Sequence, residues 1–550
     1  MLIKELLVKQ EECWLLPPEL HSCWNARGLY NPLQFVLRLR PDIHRQLGSI
    51  KPGIRTAGEL DFESIQAYST YFHETIHWWQ HVGSTSGLML SLIYPAQSHI
   101  THRDLVGVLK DIGPVKSIAK YNSVYNTPLS HNKATEDRIN KILNNWHDIE
   151  FFRWLVMDPK SAATVVASPY FECVGHSYSI AWANIIWLLA STFDCDLNIL
   201  PDIRAWEKEF DILRRNKVEG FYYGSQVRLP PMGAREIFEG QARFSQMQYL
   251  YFSSREGMSW NDFKDAGMLD GVYKAAFEDY LKIIGEDWPR TPGDSLVGLF
   301  LLICDIAMNP TDGFPFDIYH FESFIISVDP GMRFLMLCQF IRRDYPKLLN
   351  AVQGYTREEY IEISEILCKA ICCKTPLAAA EKICEWASTH LAFQKLMKED
   401  SAFEFMSENL PVRVFFARFL RFQQDKLITP EYFCWPGFWS VGDRKVGIGL
   451  DQAQQLFESH SALFVDKEDG DVYPRTFSDK NEESVQKTFN EFYSWNAIYD
   501  LTRQWIIQEG EFEFDFSWLT SKYPKADRDE WASKHFENAY GVNPTSFKII

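Results

Sequence analysis

Apolar residues recur every three or four positions along most of this 550-residue chain, and that helical period is the strongest constraint on its fold. Alternation suited to a half-buried strand is confined to residues 33–40 (LQFVLRLR), the aromatic run 432–450, and residues 466–471 (DKEDGD), which read as a hairpin. The expected fold class is therefore α+β, predominantly α-helical, with a small sheet. Two apolar stretches, 179–193 and 296–308, are shorter than the ~20 residues that cross a bilayer, so both are predicted to be buried helices.

The breaker-rich stretch 285–294 (GEDWPRTPGD) is the best internal boundary, with weaker ones near Asn309-Pro310 and Leu410-Pro411. This suggests three regions: 1–290, a helical 291–410, and a mixed α/β part at 411–550. No repeat with a period of 20 to 50 residues is evident.

Charge excludes one class of partner. The formal net charge is −17, and basic residues occur only in short groups such as Arg214-Arg215 and Arg342-Arg343, which read as solvated helix faces. Such a surface repels a phosphate backbone, so nucleic acid is not an expected partner. The first residues, MLIKELLVKQEECW, carry Glu5, Glu11 and Glu12 and lack the basic-then-apolar pattern of an export signal. The 11 cysteines have no paired framework. Even the tightest group, Cys368, Cys372, Cys373 and Cys384, lacks a CxxC step and reads as buried free thiols. A cytoplasmic location, with no membrane partner, is the expectation.

The chemistry-bearing segment is 61–83, DFESIQAYSTYFHETIHWWQHVG. Ile65, Tyr68, Phe72, Ile76 and Trp79 form one apolar face, and Asp61 is placed to cap the helix. His73 and His77 are four apart, one turn and about 6 Å along the axis, so two imidazoles project from one side and can grip one metal ion. Glu74 points beside that pair, where it can reach a water on the metal and act as a general base. With 14 histidines in the chain, a chance HExxH is expected only about 0.02 times, which favours function. The bland alternative is two histidines on a helix flank with Glu74 solvated or ion-paired.

This helix resembles that of the zincin metallopeptidases, in which the histidines of HExxH bind zinc and the glutamate is the base. The metzincin extension HExxHxxGxxH is not met, because Gln80 replaces the glycine and Gly83 stands where the third histidine belongs. In the gluzincin branch a glutamate from a second helix completes the site. The segment Arg235 to Arg243 (REIFEGQAR) looks like the family's E-G-x-A element, with Glu239, Gly240 and Ala242 matching. The small residues there are expected to let the two helices approach closely, and Pro230-Pro231 to mark the helix start. Glu239 lies 162 residues beyond His77, so a long insertion must separate the two helices within a zincin-like region spanning 1–290. Glu239 and Arg243 also suit an ordinary solvated stripe with Arg235 and Gln246. Glu236, Glu172 and His81 are reserve ligands. His81 otherwise suits a supporting or helix-end role, and His176 and Tyr222 or Tyr223 are candidate donors to a developing oxyanion, although nothing in the spacing selects among them and core packing is the better reading of each.

These readings converge on an endopeptidase with one zinc per chain on His73, His77 and Glu239, and with Glu74 as base. Its substrate would be a protein or peptide, with residues 33–40 as the aligning strand. Absence of an evident pro-segment implies narrow specificity or gating by a regulatory protein partner, as in an effector or toxin-like enzyme, with the helical accessory part supplying recognition. The alternative from another class is a non-catalytic helical interaction protein with a structural or vestigial metal site. A ferritin-like di-iron site needs a second ExxH, and the chain has none.

Overall fold

A computed structural model describes residue 2 and residues 28–48, 61–125, 133–442, 447–477 and 479–550. The acidic N-terminal stretch containing Glu5, Glu11 and Glu12 lies outside the described residues. The fold is 67% helix and 4% strand, predominantly α with a small sheet, as the periodicity predicts. Among the described residues no single helix is long and apolar enough to cross a membrane. Both apolar stretches lie in buried helices, Val174–Phe193 and Ser295–Met308.

The strands are β1 (Gly28–Asn31), β2 (Val36–Leu39), β3 (Val115–Lys116), β4 (Phe464–Asp466), β5 (Val472–Pro474) and β6 (Lys548–Ile549). Four of them form one sheet in the order β1-β2-β4-β5, antiparallel except where β2 runs parallel to β4, and β3 pairs with β6 apart from it. The hairpin expected at 466–471 is the β4–β5 turn. The expected strand within 33–40 is present as β2, but it lies between β1 and β4 and cannot accept a peptide. The strand on the edge beside the histidines is β1. Asn31 shapes the β1–β2 turn, its side-chain oxygen accepting the Leu33 and Gln34 N–H groups at 3.0 Å each.

The aromatic run 432–450 is not a strand. Pro430 and Pro436 each sit in a helical first turn, giving Pro430–Cys434 and Pro436–Trp439, while residues 443–446 lie outside the described part. Tyr432, Phe433, Trp435 and Trp439 are buried all the same, so burial and proline placement outweigh the strand propensity of the aromatics.

The histidine helix, Phe62–Gly83, starts where expected, with Asp61 accepting Ser64 N–H at 2.9 Å. It is buried on nearly every side, not on a single apolar face. The polar positions of its other faces are paired: Gln80 and Ser69 bond to the facing helix Ala234–Ser253, and Thr75 donates to its own Tyr71 carbonyl. At the C-terminus a Cβ on Gly83 would collide with Phe422, and Ser84 then caps the next helix, Thr85–Ile112. One apolar core draws on residues from Tyr30 to Tyr493 and is continuous across the 285–294 connection, where Gly285 ends the helix Val272–Ile284 at φ +83°.

Candidate metal centre

The second helix of the site, Ala234–Ser253, runs beside the histidine helix and is held to it by a polar seam. Gln80 Nε2 donates both to the Phe238 carbonyl at 2.9 Å and to Gln241 Oε1 at 2.8 Å. One end of the seam is closed by Gln246 Nε2 donating to Ser69 Oγ at 3.1 Å. Aromatic contacts reinforce it, with Phe72 stacked between Tyr249 and Phe457. The small residue Gly240 plays a different part from the one expected. A Cβ there would meet Phe300 and Ala276, so Gly240 admits the helices behind this one, not the histidine helix.

This seam brings Glu239 to the histidines. Glu239 Oε2 lies 3.4 Å from His77 Nε2 and 3.7 Å from His73 Nε2, and the two Nε2 atoms are 3.1 Å apart. Tetrahedral bonds of about 2.0–2.2 Å place ligand atoms roughly 3.3–3.6 Å apart, so the three atoms stand at the spacing of three corners of a zinc tetrahedron. Among the described residues this is the one group of three or more His, Cys, Asp or Glu side chains whose ligand atoms converge in this way. The solvated-stripe reading fails, since Arg243 and Gln246 are buried.

Hydrogen bonding fixes how His77 presents itself. Its Nδ1–H donates to Gln80 Oε1 at 2.8 Å, which leaves the Nε2 lone pair facing His73 and Glu239. Burial, with the charge of Arg243 second, pushes His73 down to about 3, so its imidazole is neutral. Burial also lowers His77, but the Glu239 charge outweighs it, helped by Glu74 and Gln80, and its pKa is raised. Glu239 therefore favours a positive charge at His77, whereas burial and Arg243 oppose one at His73.

Glu74 is buried beside this point, and its Oε2 accepts the Tyr30 N–H of edge strand β1 at 3.0 Å. Gly28 of β1 is required for this approach, because a Cβ there would collide with the Glu74 side chain. A cavity of about 200 Å³ opens onto the group, lined by Tyr30, Glu74, His81, Arg235, Phe238 and the ligand set.

His81 lines that cavity one turn beyond His77, its ring 5.2 Å from Tyr30 and edge-on to Phe238, outside the converging triad. Burial holds it neutral, at about 3. The other expected residues lie elsewhere. Glu236 caps its own helix, accepting Gly233 N–H at 3.0 Å, and pairs with Lys160. Glu172 and His176 belong to a separate cluster: His176 Nε2 faces Asp148 at 3.3 Å, and Arg214 donates to His176 Nδ1 at 3.0 Å and pairs with Glu172 at 3.1 Å. Tyr223 is 79% exposed and Tyr222, like it, is absent from the cavity wall, so neither is an oxyanion donor at this site.

Sequence reasoning missed Tyr30, the supporting role of Gln80, and the pair Arg243 and Tyr273. Arg243 lies 3.9 Å over the Tyr273 ring, which stands beside His73 with ring centres 6.2 Å apart. Only Gln80 had a local signal, one turn from His77. Compared with known proteins, the chain matches no family model, no curated protein and no solved structure.

Proposed function

We propose that the chain is a zinc-dependent endopeptidase of the zincin type, gluzincin-like, with His73, His77 and Glu239 as the metal ligands and Glu74 as the general base. The observation that carries this reading is the meeting of Glu239 with the HExxH histidines across 162 residues of sequence, at ligand spacing. Two imidazoles and one carboxylate suit a catalytic zinc that keeps one position open. Zinc bound there would polarise the scissile carbonyl and lower the pKa of the attacking water.

The chain's own groups supply the rest. Tyr30 N–H holds one Glu74 oxygen and so positions the carboxylate that would take a proton from water and return it to the leaving amine. Gln80 keeps the His77 tautomer that ligation needs. The edge strand β1 lies beside the base, where an extended substrate can pair with backbone, which transfers the aligning role from β2 to β1.

One observation favours a structural metal instead: Glu74 already serves the Tyr30 N–H. A peptide library incubated with the zinc-loaded chain separates the readings, with cleavage read by mass spectrometry. Cleavage by wild type and none by a zinc-retaining Glu74→Gln variant supports the peptidase. Zinc bound with no cleavage by wild type, or equal cleavage by both, rejects it.

A further inference from the structure

The cysteine group at 368–384 has a geometry that its spacing does not reveal, and it stands apart from the metal centre. The helix Arg357–Ala370 ends in a Schellman motif: Cys373 N–H bonds to the Cys368 carbonyl at 2.9 Å, and Cys372 N–H to the Lys369 carbonyl at 3.2 Å. Cys372 occupies the left-handed position, φ +55°, usually given to glycine. This turn brings together the side chains three residues before and two beyond the cap, normally an apolar pair. In this chain they are two thiols, those of Cys368 and Cys373.

Across from them stands Arg333, 1% exposed. Its guanidinium donates to the carbonyls of Ala307, Ser327, Ile306 and Asn309, and one nitrogen lies 3.9 Å from Cys373 Sγ. Among the described residues no carboxylate lies within ion-pair distance of it; its charge acts on Asp312 and also favours an anion at the Cys373 sulfur. The neighbouring Cys368 thiol, then Arg333 and Thr311, outweigh burial and lower Cys373, while Cys368 is raised by Cys373 and by burial. Cys373 is only partly buried, Cys372 beside it is exposed and Cys384 half-buried, so the group is not uniformly buried as the sequence suggested.

We propose that Cys368 and Cys373 are a redox-active pair, with Cys373 the thiol that reacts with a hydroperoxide and Cys368 the thiol that resolves the product to a disulfide. The Cys373 thiolate attacks the terminal oxygen of the hydroperoxide. The S–O bond forms, the O–O bond breaks, and the alkoxide leaves and takes up a proton as the alcohol, giving a sulfenic acid on Cys373. Cys368 then loses its proton and attacks the Cys373 sulfur, the S–S bond forms, the S–O bond breaks, and hydroxide leaves as water. Two thiols are oxidised by two electrons and one hydroperoxide is reduced to alcohol and water.

The test is peptide mapping of the full chain after treatment with one equivalent of an alkyl hydroperoxide and an acid quench. The expected product is a Cys368–Cys373 linkage two hydrogens lighter than the dithiol, and in Cys368→Ser a sulfenic acid on Cys373 that a 1,3-diketone traps. Before oxidation, Cys373 in wild type should alkylate faster at pH 7 than the exposed Cys195. Both thiols remaining alkylatable after peroxide, linkage through Cys372 instead, or alkylation no faster than that of Cys195 would overturn the proposal. The wild-type map and rates decide even if the serine variant fails to fold, and none of these readouts depends on peptidase activity.

Discussion

The His73–His77 and His176 clusters both join histidine to carboxylates, and they differ in what occupies their centre. At His176 both ring nitrogens are already engaged, Nε2 with Asp148 and Nδ1 with the Arg214 guanidinium, so a protein cation fills the place a metal would take. At His73 and His77 the atoms facing one another are two Nε2 atoms and a carboxylate oxygen, and Gln80 holds the His77 proton on the far side of its ring. The tautomer, more than residue composition, separates an ion-pair cluster from a metal-ready one. Substitutions at each cluster can break that distinction.

The largest effect belongs to the base. Glu74→Gln should keep zinc and lose about 10³- to 10⁴-fold in kcat, measured on any peptide found to be cleaved; loss of zinc with the activity would instead make Glu74 a structural partner of the site. Next, Glu239→Ala should weaken zinc about 10²- to 10³-fold in a chelator competition, the share of one ligand in a binding energy of this size, whereas Glu172→Ala should leave zinc affinity unchanged. Gln80→Ala should weaken zinc about 10-fold by freeing the His77 tautomer.

The smallest effect concerns the other cluster. Burial works against a charged His176, but the hydrogen bond and charge of Asp148, with Glu172, outweigh both burial and Arg214 and raise its pKa. A raised pKa stabilises the folded state below the unfolded value of about 6.5 and ceases to do so as pH rises through the folded value. His176→Ala should therefore cost about 1 kcal/mol or less near pH 5.5 and still less near pH 8.5, read by denaturant titration at each pH. Zinc content should not change.

The parts of this fold written in local patterns were legible from sequence. Asp61 before an apolar period marked the histidine helix, HExxH placed three residues of the site, and 33–40 and 466–471 marked β2 and the β4–β5 turn. Glu239 was legible only through the small-residue segment around it, and the reason given for Gly240 was wrong, because that glycine faces Phe300 and Ala276. Strand β1 carried no signal. Its four residues, GLYN, become a strand by pairing with β2 and by lending a backbone N–H to Glu74, both long-range events. Only one apolar face of the histidine helix was legible, yet its polar positions are buried too, because partners such as Gln246 and Gln241 arrive from the distant second helix. Pairings of this kind leave no periodic trace in either segment.

The most direct measurement is an anomalous diffraction map at the zinc edge from crystals of the zinc-loaded chain. A single strong peak within about 2.0–2.2 Å of His73 Nε2, His77 Nε2 and Glu239 Oε2 is the expected result. No peak there at full zinc loading, or a peak held by other residues, would contradict the proposed centre.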